Sequence, residues 1–525
     1  MTIKIDYSAY DFTEIKNELI SYLRTTNTFK DYNFAGSNIL TLVELVAAVG
    51  DLFNFYINSI ANEYYIDTAE LYTNLNRISK QLGYNPGGVK ASSTTVTVCA
   101  TFDLPADDYY FEIPKYSTFL CPNASPLGEQ VNYCLTNDVI FVGTSGSNVY
   151  SAEWFVVQGE PYSDAELGEK FSADGTEFQS CELSSAKAIE EYLEVWVNHG
   201  VTNEQWTYVA NLYTSPDSTA KVFTTRVNSN KKVEITFGNG TFGVIPPYGA
   251  DNITVYYIES LGQDGRIEAG AITSLVEAVK VYRSDGNITE QTIDFTITQA
   301  DPSDGGRDPL TETEIKNLAP KFYRTQDRMV TIQDHEDKLL TGYSDYISKV
   351  LTVNSDDYFA ITGETPETSG LYYNNIYLYI LPVYGDTVTE NLSTQVLGYI
   401  EDYKMTSLNY VLKPIVFYNI SPIIRWKKDT TTTKQTAEIT ADIESALRVF
   451  FSRANRTFGE EIKYSVVLKS LQEIEGISSL TLALSGQTSP ISAYYENLVL
   501  DAIDFPRIDP VWDASTKITY ASGGN

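Results

Sequence analysis

Between residues 39 and 60 the apolar positions fall on three parallel heptad lines. They are Leu42, Val49 and Tyr56; Leu45 and Leu52; and Val46, Phe53 and Ile60. This spacing predicts one long helix opened by Ser37 as N-cap, with an apolar surface too wide for a single neighbour. A shorter amphipathic helix precedes it: Asp11 supplies a cap, Glu14 a carboxylate three positions on, and Ile15, Leu19, Ile20 and Leu23 the apolar face. A third helix is predicted through Leu71, Leu75, Ile78 and Leu82, capped by Asp67 and Glu70 and closed by Gly83 and Pro86. The wide stripe fits either an intramolecular three-helix core or a bundle shared with other chains.

At Gly87 and Gly88 the period changes from 3.6 to 2. Val96, Val98, Ala100 and Phe102 alternate with Thr95, Thr97, Cys99 and Thr101. Further short strands are predicted around Phe119 and Tyr133, and over 154–157, 192–197 and 206–209. Short strands between Gly, Asn and Ser turns, with no long helix, indicate a sandwich or barrel rather than a parallel sheet. After the turn-rich stretch from Asp301 to Gly306 the pattern becomes mixed. Capping boxes at Thr311 with Glu314 and at Thr331 with Asp334 open two helices. Strands over 376–381, 478–484 and 498–503 alternate with helices over 392–405, 437–451 and 464–474. The expected class is therefore α+β and multidomain: an N-terminal helical bundle segment (1–87), a β-rich sandwich- or barrel-like region (88–300), and α+β modules at 301–413 and 414–525.

Within the β region, Val233, Ile235 and Phe237 alternate with polar residues and run into Gly238, Asn239 and Gly240, three residues that tolerate positive φ. Phe242 with Gly243, Pro246 with Pro247 and Tyr248 with Gly249 then form successive corners before an alternating strand at 253–258 and Gly262 and Gly265. The order of these corners resembles the FGDG, G, P, G signature of the baseplate J-like and T-even-type inner baseplate wedge family of contractile-tailed bacteriophages. Asn239 stands where that family has Asp.

Four more segments share the resemblance, in the family's order. Lys80 to Pro86 is similar to its LGY.P helix ending. Ile113 to Phe119 is similar to its IPKGT.F corner, with Tyr116 in place of Gly and Ser117 added. Gly305 to Asp308 resembles GG.D, and Arg328 to His335 resembles R.VT..DY with His335 in place of Tyr. The resemblance covers residues 37 to about 350, with a weaker echo to about 480. It implies a structural wedge subunit, present in the virion tail baseplate and made and assembled in the host cytoplasm. Such a subunit connects hub and sheath-initiator proteins to the periphery and rearranges as packed modules when the tail contracts. Its implied partners are other copies of itself, other wedge proteins, and the sheath-initiator and hub. For the helical stripe it implies the intermolecular alternative, with Leu42, Leu45, Val49, Leu52, Phe53, Tyr56 and Ile60 at the interface. Gly238, Asn239, Gly240, Gly243, Pro246 and Gly249 form the structural turn motif.

Composition narrows the field. A net charge of −32 repels phosphate backbones and anionic lipid, so nucleic acid and membrane are not expected partners. The most apolar run, 39–49, contains Glu44 and is shorter than a bilayer span of about 20 residues. Nothing at the N-terminus reads as a signal peptide, and Cys99, Cys121, Cys134 and Cys181 lack metal or CxxC spacing and read as buried free thiols.

Candidate chemistry is sparse. Only His199 and His335 exist to serve a Ser-His-Asp or Cys-His arrangement, and both are expected at the surface. Gly238 to Gly243 fits G-x-G-x-x-G but joins strands instead of opening a helix, so no helix N-terminus awaits a pyrophosphate. The doublets at Asp107–Asp108, Asp356–Asp357 and Glu460–Glu461 read as solvated faces among 69 acidic residues, and the stretch from Asp301 to Asp308 lacks EF-hand spacing. No enzyme activity, cofactor, metal or small-molecule substrate is expected. The alternatives to the wedge are a baseplate component of a bacterial contractile injection system and a glycan-binding tail adhesin, the latter on the strength of Trp196 and Trp206 in Tyr-rich β modules.

Overall fold

A computed structural model describes residues 10–520 apart from 27–30, 32–33, 35, 102–108, 125–129, 143–148, 163–167, 201, 215–216, 277–279, 284–287, 293–294, 366–370 and 485–497. The Asp107–Asp108 doublet lies outside the described residues. N-terminal helices, a β-rich middle with barrel-like sheets and mixed α/β elements follow in the expected order. In space the chain clusters into two compact units, each assembled from separate stretches of sequence.

The first unit comprises Met1–Ala91, Gly159–Gly262 and Asp308–Tyr323. Helices α1 (Phe12–Thr26), α2 (Asn38–Asn62) and α3 (Tyr72–Gln81) open it. The Asp11 carboxylate accepts the Glu14 N–H at 2.8 Å, and Ser37 Oγ accepts the Leu40 N–H at 3.0 Å, so both predicted caps form. The cap expected for α3 does not. Its N-cap is Leu71, with no side-chain cap, and the Glu63 carboxylate accepts from the N–H groups that lead into the helix, Glu70 at 2.9 Å and Leu71 at 3.2 Å. Neither Asp67 nor Glu70 supplies the N-cap position, which falls on Leu71, and Glu63, just past the end of α2, holds the backbone that leads into the helix. Gly83 closes α3 at φ +87°, as its position implied.

The β part of this unit is a seven-stranded sheet in the order Glu169–Ala173, Gly249–Tyr256, Glu194–Asn198, Asn203–Tyr208, Val222–Val227, Val233–Phe237 and Ser180–Glu182. Its pairings are antiparallel except where Thr207 lies beside Val222. The two outermost strands of that order are joined by residues 174–179, so a short connection ties the sheet's opposite edges together, a barrel-like arrangement that leaves little free edge. One face of the alternating strands makes the core: Val195, Val197, Trp206, Phe223, Ile235, Phe237, Ile253 and Val255. Trp206 meets Phe237 edge to face at 5.3 Å. A second core takes Leu75 and Tyr72 of α3 together with Val227 and with Leu310, Ile315 and Ala319, the last two from α4 (Glu312–Thr325).

The second unit comprises Ser92–Gln158, Gln263–Arg307 and Arg324–Asn525. Strand Lys90–Thr101 pairs along its length with Val149–Gln158 and with Phe295–Thr298 inside another seven-stranded sheet. At the IPKYSTF corner Tyr116 holds φ +71°, a left-handed conformation in which glycine is at ease and a bulky residue is strained. The turn is therefore made without glycine, in a conformation that glycine favours. Further on, α5 (Ile332–Gly342) and strands Ile347–Asn354, Asn375–Pro382 and Asn409–Lys413 enclose a core of Leu339, Val350, Leu378, Ile380, Val396 and Ile400. Helix α6 (Ser355–Thr362) was not expected. Asn354 caps it, accepting the Asp357 N–H at 2.8 Å, and Gly363 ends it at φ +68°, so the Asp356–Asp357 doublet lies in a helical first turn. Helix α7 (Glu390–Tyr403) begins one residue after its Thr389 cap. In the last module, α8 (Thr436–Phe450) and α9 (Tyr464–Gln472) pack on strand Ile423–Lys428 through Ile439, Ile443, Leu447 and Val467. The strand expected over 498–503 is displaced: Leu498 makes an isolated bridge to Ile462, a turn closes from Asp504 N–H to Asp501 C=O, and the strand runs Asp504–Ile508.

Candidate assembly site

Helix α2 is built to be long: capped at Ser37, free of proline, and rich in Leu, Val and Ala for 25 residues. Its partner along the chain is α1. Ile15 approaches so closely that a Cβ on Gly50 would lie 3.0 Å from Ile15 Cδ1, and Lys16 Nζ lies 2.7 Å from Glu44 Oε1. Val43 and Ala47, on the turns before Gly50, are buried. The predicted stripe is elsewhere on the cylinder. Leu42, Leu45, Val49, Leu52, Phe53, Tyr56 and Ile60 are each 46% to 69% exposed in the isolated chain, as are Phe55 and Ile57. Helix α3, which a three-helix core would have used as cover, spends its apolar face on Ile315, Ala319 and Val227 instead, and no residue of α2 belongs to that cluster. By length and composition α2 would also suffice to cross a bilayer, contrary to the expectation that no stretch was long enough; the helix continues well past residue 49, where the apolar run was taken to end.

The turn motif is brought together at one corner of the first unit. Gly240 and Gly243 hold φ +83° and +84°, and the Gly240 N–H donates to the Gly243 C=O at 2.9 Å. Asn239 Oδ1 accepts from the Phe242 N–H at 2.8 Å and the Thr241 N–H at 3.1 Å, the Asx turn that Asp at this position would equally make. Gly238 is not in the left-handed region. It is glycine because a Cβ there would sit 2.4 Å from the backbone C and O of Gly243. Pro246 is buried, and a Cβ on Gly249 already lies 3.0 Å from Asn252 Cγ, so Gly249 answers to the Asn252 side chain, whose Nδ2 donates to Pro247 C=O at 2.6 Å.

The candidate chemical groups are dispersed. His335 is buried, not at the surface: Nδ1 lies 2.6 Å from Thr331 O and Nε2 lies 2.8 Å from Tyr410 Oη, and burial holds its pKa below the usual imidazole value. A single sequence cannot reveal Tyr410, which arrives from a strand 75 positions away. His199 is exposed, 3.7 Å from Glu204. Cys121, Cys134 and Cys181 are buried and all four cysteines are free thiols; burial pushes the Cys121 thiol up to about 12. Glu460 binds Arg456, and Asp304 accepts from the Thr389 hydroxyl at 2.6 Å. Gly305 and Gly306, at φ +72° and +78°, turn their carbonyls to the Arg266 guanidinium.

The first unit thus presents a long, largely uncovered apolar helix, and that helix lies in a segment similar to a known domain. Residues 11–84 match the model of the helical domain of gp6-like baseplate wedge proteins. The chain is similar to baseplate wedge protein gp6 of Enterobacteria phage T4, 24% identical over 382 residues, which cover 70% of this chain and 55% of that protein. It therefore spans about half the length of the curated relative it matches. Among solved structures, a chain of the anti-feeding prophage baseplate aligns over 96% of this chain and all of its own length at 12% identity and a TM-score of 0.35. A chain of the type VI secretion TssK-TssF-TssG baseplate subcomplex aligns over 71% of this chain and 96% of its own at 8% identity and a TM-score of 0.33.

Proposed function

We propose that this protein is a structural wedge subunit of a contractile phage-tail baseplate, with a baseplate J-like module at its glycine turn. In this reading it joins hub and sheath-initiator proteins to the periphery of the virion's tail baseplate and shifts as rigid modules on contraction. Its segments 1–87, 88–300, 301–413 and 414–525 serve as functional modules, and it acts without turnover chemistry. The observation that carries the reading is α2: its apolar stripe lies in the segment similar to the wedge helical domain and has no cover within the described chain. A shared helical bundle with another copy or another wedge protein covers such a stripe through Leu42, Leu45, Val49, Leu52, Phe53, Tyr56 and Ile60.

The test is the triple variant Val49→Ala, Leu52→Ala, Phe53→Ala, co-purified with other proteins of the same tail, with circular dichroism of the variant alone. Loss of a bundle's central layers costs on the order of several kcal/mol of association, while the isolated chain keeps its fold. A folded variant that assembles with wild-type affinity refutes the bundle, and a variant that unfolds alone places the stripe in an internal core. Turnover of host polysaccharide or peptidoglycan, abolished by substituting one carboxylate, would refute the non-enzymatic role. A second reading, insertion of α2 into a bilayer, is favoured by the helix's length and opposed by Glu44 and Asp51 within it; flotation with liposomes separates the two.

A further inference from the structure

The glycine-turn corner of the first unit carries a second uncovered surface, unrelated to α2. Three segments meet there, 174–179, the residues 212–214 with 217–220, and 238–252. They are tied by hydrogen bonds from the Phe178 N–H to Gly238 C=O at 3.2 Å and from the Gly243 N–H to Asp217 C=O at 3.0 Å. A Cβ on Gly175 would stand 3.6 Å from Tyr248 Cβ, so the first and third loops also touch there. On this base sit four aromatic rings. Tyr213 lies 6.2 Å from Phe178 and 5.1 Å from Phe242, and exposure reaches 62% for Tyr213 and 86% for Tyr248. The same segments carry four exposed carboxylates, Asp174, Glu177, Asp217 and Asp251. The three segments contain no lysine, arginine or histidine.

Aromatic faces and carboxylates are the two surfaces that a guanidinium satisfies at once, stacking on the ring and pairing with the acid. The Thr176 backbone N–H and hydroxyl hold Asp174 below the usual carboxylate range, and the Thr219 hydroxyl and N–H do so for Asp217, so both remain charged. The same charges repel phosphates. We propose that this corner docks a cationic segment of another protein, one that presents arginine side chains to Phe178, Tyr213, Phe242 and Tyr248 and to the carboxylates of the same segments. Backbone hydrogen bonds and ring contacts already join these segments, which limits the ordering that binding requires on this side. The inference stands apart from the α2 bundle: the corner and the helix use different residues, and either can fail while the other holds.

The experiment measures fluorescence anisotropy of labelled octa-arginine, octa-lysine and octa-glutamate against the full chain at physiological ionic strength. Two variants are compared with wild type, Tyr213→Ser with Tyr248→Ser, and Glu177→Gln with Asp251→Asn. The expected results are binding of octa-arginine above octa-lysine, none of octa-glutamate, and a loss of about tenfold in octa-arginine affinity in each variant. A diazirine-bearing octa-arginine should crosslink to the three loops. All four substituted side chains are exposed, so thermal unfolding stays as in wild type, and either variant suffices if the other misfolds. Unchanged affinity in the tyrosine variant, or crosslinks spread over the acidic surface, would mean that net charge alone attracts the peptide and would overturn the proposal. Equal binding of octa-lysine, or chitohexaose binding that the tyrosine variant abolishes while octa-arginine is unaffected, would overturn it too.

Discussion

Substituting asparagine at Gly238 and at Gly240 should have very different effects, although the two glycines flank one residue. At Gly240 the backbone is left-handed, and the nearest atom to a Cβ is Ile245 Cδ1 at 3.5 Å. Asparagine tolerates that φ, so Gly240→Asn should cost about 0.5 kcal/mol. At Gly238 the φ is ordinary but a Cβ falls 2.4 Å from Gly243 C and O and 2.5 Å from Phe242 O, roughly an ångström inside normal contact. These are backbone atoms and cannot swing aside. Relieving the overlap should cost about 2 kcal/mol, and the displaced Gly240 N–H to Gly243 C=O bond about 1 more. The difference of about 2.5 kcal/mol is roughly 60-fold in local opening. Because the chain has two units, a global melting point is a poor reporter. Hydrogen exchange in strands Val222–Val227 and Val233–Phe237 reads the corner directly. Equal loss of protection in the two variants would refute the steric account.

Three further outcomes are expected. Because burial lowers the His335 pKa, the unfolded chain binds the proton more readily. Stability is therefore complete above about pH 6.5 and falls as pH drops below it towards the folded value, and His335→Gln should remove that slope from unfolding curves of wild type and variant. Lys338, fully buried, is paired with Asp327 and lies 3.9 Å above the Tyr403 ring; Asp327→Asn should destabilise the second unit by about 1–2 kcal/mol in denaturant titration, a modest figure because Asp327 itself faces water. Glu63→Ala should lower the stability of α3 by about 1 kcal/mol by freeing the Glu70 and Leu71 amides that lead into it, whereas Glu70→Ala should leave hydrogen exchange there unchanged.

The helices, their caps at Asp11, Ser37, Thr311 and Thr331, the stop at Gly83 and the alternating strands were legible in the sequence, because each depends on residues within one or two turns of one another. The width of the α2 stripe was legible for the same reason. Whether neighbours cover it was not: that depended on α3 turning to Ile315 and Ala319, more than 230 positions away by residue number. The same holds for Glu63, which holds the backbone entering α3 across an irregular turn, and for His335, whose hydroxyl partner Tyr410 comes from a distant strand. Gly238 shows the distinction most plainly. The sequence marks a turn in which glycine is needed, yet only the approach of Gly243 to 2.4 Å decides that the need is for space and not for φ. Local propensity chooses elements; which surfaces they bury, and which they leave for other molecules, is set by chain crossings that no local pattern encodes.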